Sequence, residues 1–354
     1  MKRGADNENG TVLLTTLLIM TIMAAITVAL LEDIQLAVKR TINIQAYAQA
    51  DWQADGAEDF VRAYLENDFA DLAPEAKGAL LQSRTPLVLP TPGGVITLTL
   101  KDASQCFNLN ALVDADGNRQ DVAVLEFVRL AELLGLPQNQ ATALANTLVD
   151  WQDPNQQQSA GGAEDGTYLR KNPPYRTADT ALRGPEELRA LHGMDEDLWE
   201  LFRPFVCTGE VGMMPAINVN SLSIDRLIIL AAVLSETTDT TTAAVPAAEA
   251  LLRDRPITGY SGADQITQIL EGTGIEGLTT ARLGTDVSSV FVEVVTEVGP
   301  AERVRSYRFD GLLGVDGTEA DGPSLTYRGW GRETFRPEIE TQAEANSESE
   351  GDAR

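Results

Sequence analysis

An uncharged run of 21 residues, Thr11 to Leu31 (TVLLTTLLIMTIMAAITVALL), constrains this chain more than any other feature. As a helix it spans about 32 Å at 1.5 Å per residue, enough to cross the hydrocarbon core of a bilayer. A secretory signal peptide has a shorter apolar core followed by a small-x-small cleavage site, whereas this run is full length and meets Glu32 and Asp33. An uninterrupted apolar helix of this length at an extreme N-terminus is rarely the buried helix of a soluble enzyme. The reading is a spanning helix over 11–31. Lys2 and Arg3 favour a cytoplasmic N-terminus, with everything after Leu31 on the far side of the membrane.

Composition suits a body outside the cytoplasm. The formal net charge is -26 and the pI about 4.3, a field that repels nucleic acid and anionic headgroups and attracts divalent cations. The chain has two cysteines, Cys106 and Cys207, and an oxidising compartment allows them to close a bridge.

Beyond the membrane the helical pattern continues. Ile34, Val38, Ile42, Ala46, Ala50, Ala54, Ala57, Val61 and Leu65 recur at steps of three or four, with no proline and one glycine before Phe69. The expected element is an amphipathic stem over 32–70, ended by Pro74 and its surroundings. Period-two patterns then take over. PLVLP, a Pro-Gly-Gly turn and VITLTLKDA predict two strands within 71–106, and SSVFVEVVTEV, ERVRSYRFDGLL and SLTYRGW predict three more within 287–333. Between them, 107–286 is helical and loop-rich and reads as two lobes split near 215. The fold class is therefore α+β: a long helix on a small antiparallel sheet, with a large α-helical domain inserted between strands. Residues 334–354 read as an acidic disordered tail, since from Pro337 there are six carboxylates and one arginine.

Motifs for catalysis are weak. His192, the one histidine, sits in RALHGMDED where a helix-terminal role accounts for it. GYSGA lacks nucleophile-elbow spacing, and the carboxylates of GGAEDG would repel a phosphate. INVNSLSIDRL is reminiscent of helix-hairpin-helix modules but has no basic hairpin, so a helical scaffold is expected and not DNA binding. No enzyme is expected.

Several phrases occur together and in order: a short leader ending in Gly10 before a continuous apolar helix, then CFNLNAL, LVDWQD, GGAEDGTYL, NPPYR, EELRALHGM, LFRPFVC and INVNSL. The leader resembles a type IV prepilin-type N-terminus. The series resembles the general secretion pathway protein K family, the large minor pseudopilins of type II secretion. The resemblance implies the pseudopilin fold, cleavage between Gly10 and Thr11 by prepilin peptidase with methylation, and residence in the inner membrane with a periplasmic body. It also implies a place at the tip of a periplasmic pseudopilus with minor pseudopilins I and J and other type II secretion components. Most pilin-like subunits carry glutamate at the fifth residue after the cut; here it is Thr15, whose neutral hydroxyl can return to a carbonyl one turn back. That absence suits a topmost subunit, because an unpaired carboxylate in the bilayer is costly.

Two further expectations concern sites. A bridge from Cys106 to Cys207 would bracket the first lobe. In the irregular segment after LVDWQD, the residues Asp150, Asp153, Asn155, Glu164, Asp165, Asp179 and Glu187 gather oxygen donors suited to calcium, which the family also carries in this domain. Glu164 and Asp165 rank first, with Asp153, Asn155, Asp179 and Glu187 behind. The competing reading for the whole chain is a membrane-stalked periplasmic receptor without leader cleavage or sister subunits.

Overall fold

The computed structural model describes residues 6–69, 71–83, 85–298, 305–314 and 325–330. The first five residues of the expected leader, residues 299–304 at the join of the expected strands SSVFVEVVTEV and ERVRSYRFDGLL, and the expected acidic tail lie outside them. Helix α1 runs from Asp6 to Tyr64 without a break and finishes in a π-helical turn, Leu65–Phe69. Among the described residues it is the one helix long and apolar enough to cross a membrane. Its two parts meet different surroundings. Ile34, Val38 and Ile42 are exposed, whereas Ala50, Ala54, Ala57, Val61, Leu65 and Phe69 are buried. The periodic stripe read over 34–65 therefore packs on the head only in its second half.

Pro74 does more than end the stem. It opens a second helix, α2 (Pro74–Ser83), which the sequence reading missed. Proline at the first helical position loses no hydrogen bond, because that N–H has no intrahelical partner. Leu81 of α2 enters the same apolar cluster as the stem, and Lys77 lies over the Phe69 ring, 3.4 Å from Asp286.

The sheet follows the alternation in the sequence. Strand β1 (Leu87–Thr91) turns through Gly93, at φ +83, into β2 (Gly94–Asp102). An L side chain would be strained at that φ, so the tight turn favours glycine. The insert leaves from Asp102 through β3 (Phe107–Asn108), α3 (Asp121–Leu133), α4 (Gln138–Gln152), the single turn α5 (Asp165–Tyr168) and α6 (Glu196–Phe202). It continues through β4 (Val206–Cys207), β5 (Ile217–Asn218), α7 (Leu227–Leu234), α8 (Ala244–Arg253), α9 (Ala263–Gly272) and β6 (Leu283–Gly284). The sheet resumes as β7 (Ser289–Val298), β8 (Arg305–Gly314) and β9 (Leu325–Trp330), in the antiparallel order β1-β2-β7-β8-β9. Leu98 pairs with Val294 and Ile96 with Thr296, which places Ile96, Leu98, Val290, Val292 and Val294 on the face that α1 covers. Truncating Leu65, 1% exposed in that cluster, would cost about 2–5 kcal/mol.

Because Asp102 pairs with Val290, the insert leaves and returns at neighbouring strand ends. That junction is polar and closed. The fully buried Asp102 carboxylate accepts from Ser104 N, Asn218 Nδ2 and Ser221 Oγ, at 2.8, 3.1 and 2.5 Å. Burial raises its pKa, against the pull of these hydrogen bonds. The asparagines of INVN serve the same closure: Asn220 bonds both Tyr260 N and Tyr260 O.

Within the insert, the stretches on either side of the expected division near 215 pack against each other. One continuous apolar cluster runs from Phe107 through Phe127, Leu148 and Phe202 to Leu230, Leu251 and Leu270. Helix α3 packs on both α4 and α7, so helices on either side of residue 215 share one core. The stretch PEELRALHGMDEDLWELFRPFV forms two elements, a 3₁₀ turn (Pro185–Ala190) and α6, separated by Gly193 at φ +87.

Candidate functional site

The chemistry of the head concentrates on the last turn of α4. Asp150 and Asp153 stand three residues apart in sequence, the first on α4 and the second its C-cap, a spacing that brings side chains to one helix face. The returning loop brings Glu164 to them. The loop is pinned along α4 by hydrogen bonds from Asn146 Nδ2 to Ala160 O (2.8 Å) and from Ser159 N to both Asp150 oxygens (3.1 Å each). Gly162 lies directly against Asp150. Tyr168, fully buried one turn past Glu164, packs edge-on against Trp151 at 5.2 Å and accepts a hydrogen bond from His192 N.

One oxygen each from Asp150, Asp153 and Glu164 lies within 4.8 Å of the others, and all three residues are buried. Both Glu164 oxygens are buried without a hydrogen-bond partner. Burial, reinforced by the charges of Asp150, Asp153 and Asp179, pushes the Glu164 pKa up to about 7. Burial and the charges of Asp150 and Asp179 raise that of Asp153. Three converging carboxylates, with only negative charges acting on the innermost, could hold a hard divalent cation. The donors are all oxygen, and two of them have no other partner, so the residues fit calcium.

The other expected ligands are engaged elsewhere. Asp165 accepts from Thr177 N and Thr177 Oγ1 and pairs with Arg176 at 2.5 Å, so its ranking beside Glu164 is corrected. Asn155 Oδ1 accepts from Gln157 N, and Glu187 Oε1 accepts from Arg183 N. Asp179, at φ +50, accepts from Thr177 Oγ1 and acts on the cluster by charge. Asp150, named among the donors but not ranked, is a full member.

Cys106 and Cys207 are joined, Sγ to Sγ 2.08 Å, across 101 residues of sequence. The bridge ties β3 to β4 and packs with Ala103 and with Phe291 of β7, where insert meets sheet. At the other end of the molecule Gly10 and Thr11 lie within the helical backbone of α1. Thr15 Oγ1 donates to Thr11 O and Val12 O, at 3.0 and 2.9 Å.

Comparison with known proteins agrees with this architecture. Residues 105–209, the stretch from the junction to just past Cys207, match the family model for type II secretion system (T2SS), protein K. The type II secretion system protein K of Pectobacterium carotovorum subsp. carotovorum is 30% identical over 336 residues, covering 92% of this chain and 98% of that protein. The protein of the same name from Klebsiella pneumoniae is 34% identical over 72% of this chain and 77% of its own length. Among solved structures, a chain in the crystal structure of the GspK-GspI-GspJ complex from the enterotoxigenic Escherichia coli type 2 secretion system superposes with a TM-score of 0.61 at 24% identity, covering 83% of this chain and 99% of its own. With a relative matched over nearly its whole length, and the stem, sheet and insert all in place, the chain belongs to the type II secretion system protein K family.

Proposed function

We propose that this minor pseudopilin forms the tip of a periplasmic pseudopilus together with minor pseudopilins I and J, and so supports protein export across the outer membrane. The single observation that carries the reading is the continuity of α1 from Asp6 to Tyr64. One end is apolar and uncovered, the other is packed into the head, and no joint lies between them, so a displacement of the stem is passed to the head. A receptor on a stalk has no need of such coupling. The chain acts as an assembly subunit and not as an enzyme.

The N-terminus lies in the cytoplasm, in keeping with Lys2 and Arg3, and the head in the periplasm, with α1 crossing the inner membrane. Prepilin peptidase cuts between Gly10 and Thr11 and methylates the new terminus. Thr15, with its hydroxyl returned to the helix, presents no charge to a subunit above it. In the head, Asp150, Asp153 and Glu164 hold calcium, which when bound supplies the positive charge that the three carboxylates lack and fixes the 158–164 loop on α4.

Co-expression of the full chain with subunits I and J of the same secretion system, mild detergent extraction and capture through a tag on this chain test the assembly reading. Recovery of both subunits is expected. Their absence under conditions where all three are made would overturn it.

A further inference from the structure

The insert is joined to the sheet by two chain crossings, outward after Asp102 of β2 and back into Val290 of β7, and these two residues are paired neighbours. Crossings that lie side by side make a hinge line, and relative motion of the joined bodies is the default where nothing else holds them. Here the segment INVNSL, residues 217–222, occupies the seam. Asn218 Nδ2 and Ser221 Oγ donate to the buried Asp102 carboxylate, Asn218 N donates to Ser104 Oγ at 3.1 Å, and Gln105 Nε2 donates to Ser221 O at 2.8 Å. On the returning side Ile217 N donates to Arg282 O and Val219 N to Gly284 O, at 2.7 and 3.0 Å. One short segment is thus bonded to both crossings.

A third support comes from outside both crossings. Gly78 of α2 lies against Asn220, and a Cβ added to it would stand 3.0 Å from the C, O and Cβ atoms of that residue. Helix α2 follows the π-helical end of the stem and shares its apolar cluster through Leu81. Asn220 is buried, and its side chain bonds Tyr260 N, Tyr260 O and Thr285 O at 2.7, 3.0 and 3.0 Å. Stem end, sheet and insert therefore meet on one buried segment. Swinging the insert would strip the Asp102 carboxylate of donors in a place closed to water, which is costly. The Cys106–Cys207 bond does not cross the junction, because both cysteines lie on the insert side of Asp102.

We infer that residues 217–221 are a mechanical lock: they suppress hinge motion between insert and sheet, so that the two move as one body with the stem. A displacement of α1 then reaches the insert through the sheet and α2 and is not absorbed at the junction. That use rests on the assembly reading above, whereas the lock itself is a property of the single chain. Buried polar groups suit the role better than apolar packing alone, since a satisfied hydrogen-bond network fixes one orientation where apolar contacts tolerate sliding.

Pulsed electron paramagnetic resonance on the full chain in detergent, without partners, tests the lock. Spin labels at Val88 of β1 and Val122 of α3, both exposed, report sheet against insert, and labels at Val122 and Leu201 of α6, also exposed, report the insert alone. The unmodified lock is expected to give one narrow Val88–Val122 distribution. Asp102→Ala and Gly78→Leu should broaden it or add a second distance while the Val122–Leu201 distribution stays as it was, and Cys106→Ser with Cys207→Ser should leave both unchanged. Ser221→Ala, which removes one hydroxyl from the carboxylate, should broaden the first distribution less, and it decides the matter where a stronger variant loses the insert's internal distance. A broad Val88–Val122 distribution in the unmodified lock, or one that these variants leave narrow, would overturn this inference. Either result would leave the assembly reading standing, since partner capture tests that separately.

Discussion

A Cβ added to Gly162 would lie 2.1 Å from Asp150 Oδ2. The loop thus approaches the last turn of α4 more closely than any other residue type permits. Gly162→Ala must push Asp150 or the loop aside. It is expected to destabilise the head by about 1–3 kcal/mol and to abolish the rise in melting temperature on adding calcium. For the unmodified head, calcium at a hundred times its dissociation constant should add about 2.7 kcal/mol. Thermal melts of both proteins with calcium and with chelator check this; an unmodified head indifferent to calcium would remove the metal site.

Glu164 contributes to the pH dependence of the metal-free head. Its pKa is raised to about 7, so the folded state holds a proton that the unfolded chain releases near the ordinary carboxylate value of 4.5. The stabilising contribution is therefore fully present below about 4.5 and is lost as pH rises through 7. With calcium the order inverts, because the cation binds the ionised carboxylate. Chemical denaturation across pH 5–8 in chelator should show this site's contribution falling with pH, and Glu164→Gln should flatten that slope.

The Cys106–Cys207 bridge closes a loop of 101 residues at the seam between insert and sheet. Replacing both cysteines by serine is expected to cost about 2–5 kcal/mol, read as a shift in denaturant midpoint. Non-reducing peptide mapping of periplasmic material should recover the two cysteines in one linked pair. Two free thiols would contradict it.

Leader removal is read by intact mass. The membrane-extracted chain should begin at Thr11 when prepilin peptidase is present and at Met1 when it is absent. Gly10→Val should keep the leader attached, since a branched side chain then stands at the bond to be cut.

How much of this was legible depended on whether the information was local. The stem and five strands follow periods of about 3.6 and 2 that their own residues carry, as in Ala50 to Leu65 and in Val290, Val292 and Val294. Helix α2 was missed because Pro74 was read only as a stop, although it also serves as a first helical residue. How the two expected lobes meet was not legible, because the packing of α3 on α7 joins residues about a hundred apart and no local pattern records that. The acidic site was legible in part. Asp150 and Asp153 have the spacing of one helix face, a signal that would have raised Asp150 in rank. The loss of Asp165 to Arg176 and Thr177 depends on how the loop folds back, which the sequence does not state locally.

The central claim is the place of this subunit at the tip, and site-specific photo-cross-linking from the stem of α1 in assembled pseudopili tests it most directly. With the reactive residue placed at successive exposed stem positions, the account predicts cross-links to other pseudopilins below this subunit, none to a subunit above it, and one copy per pseudopilus. Copies along the shaft, cross-linked on both sides, would contradict it.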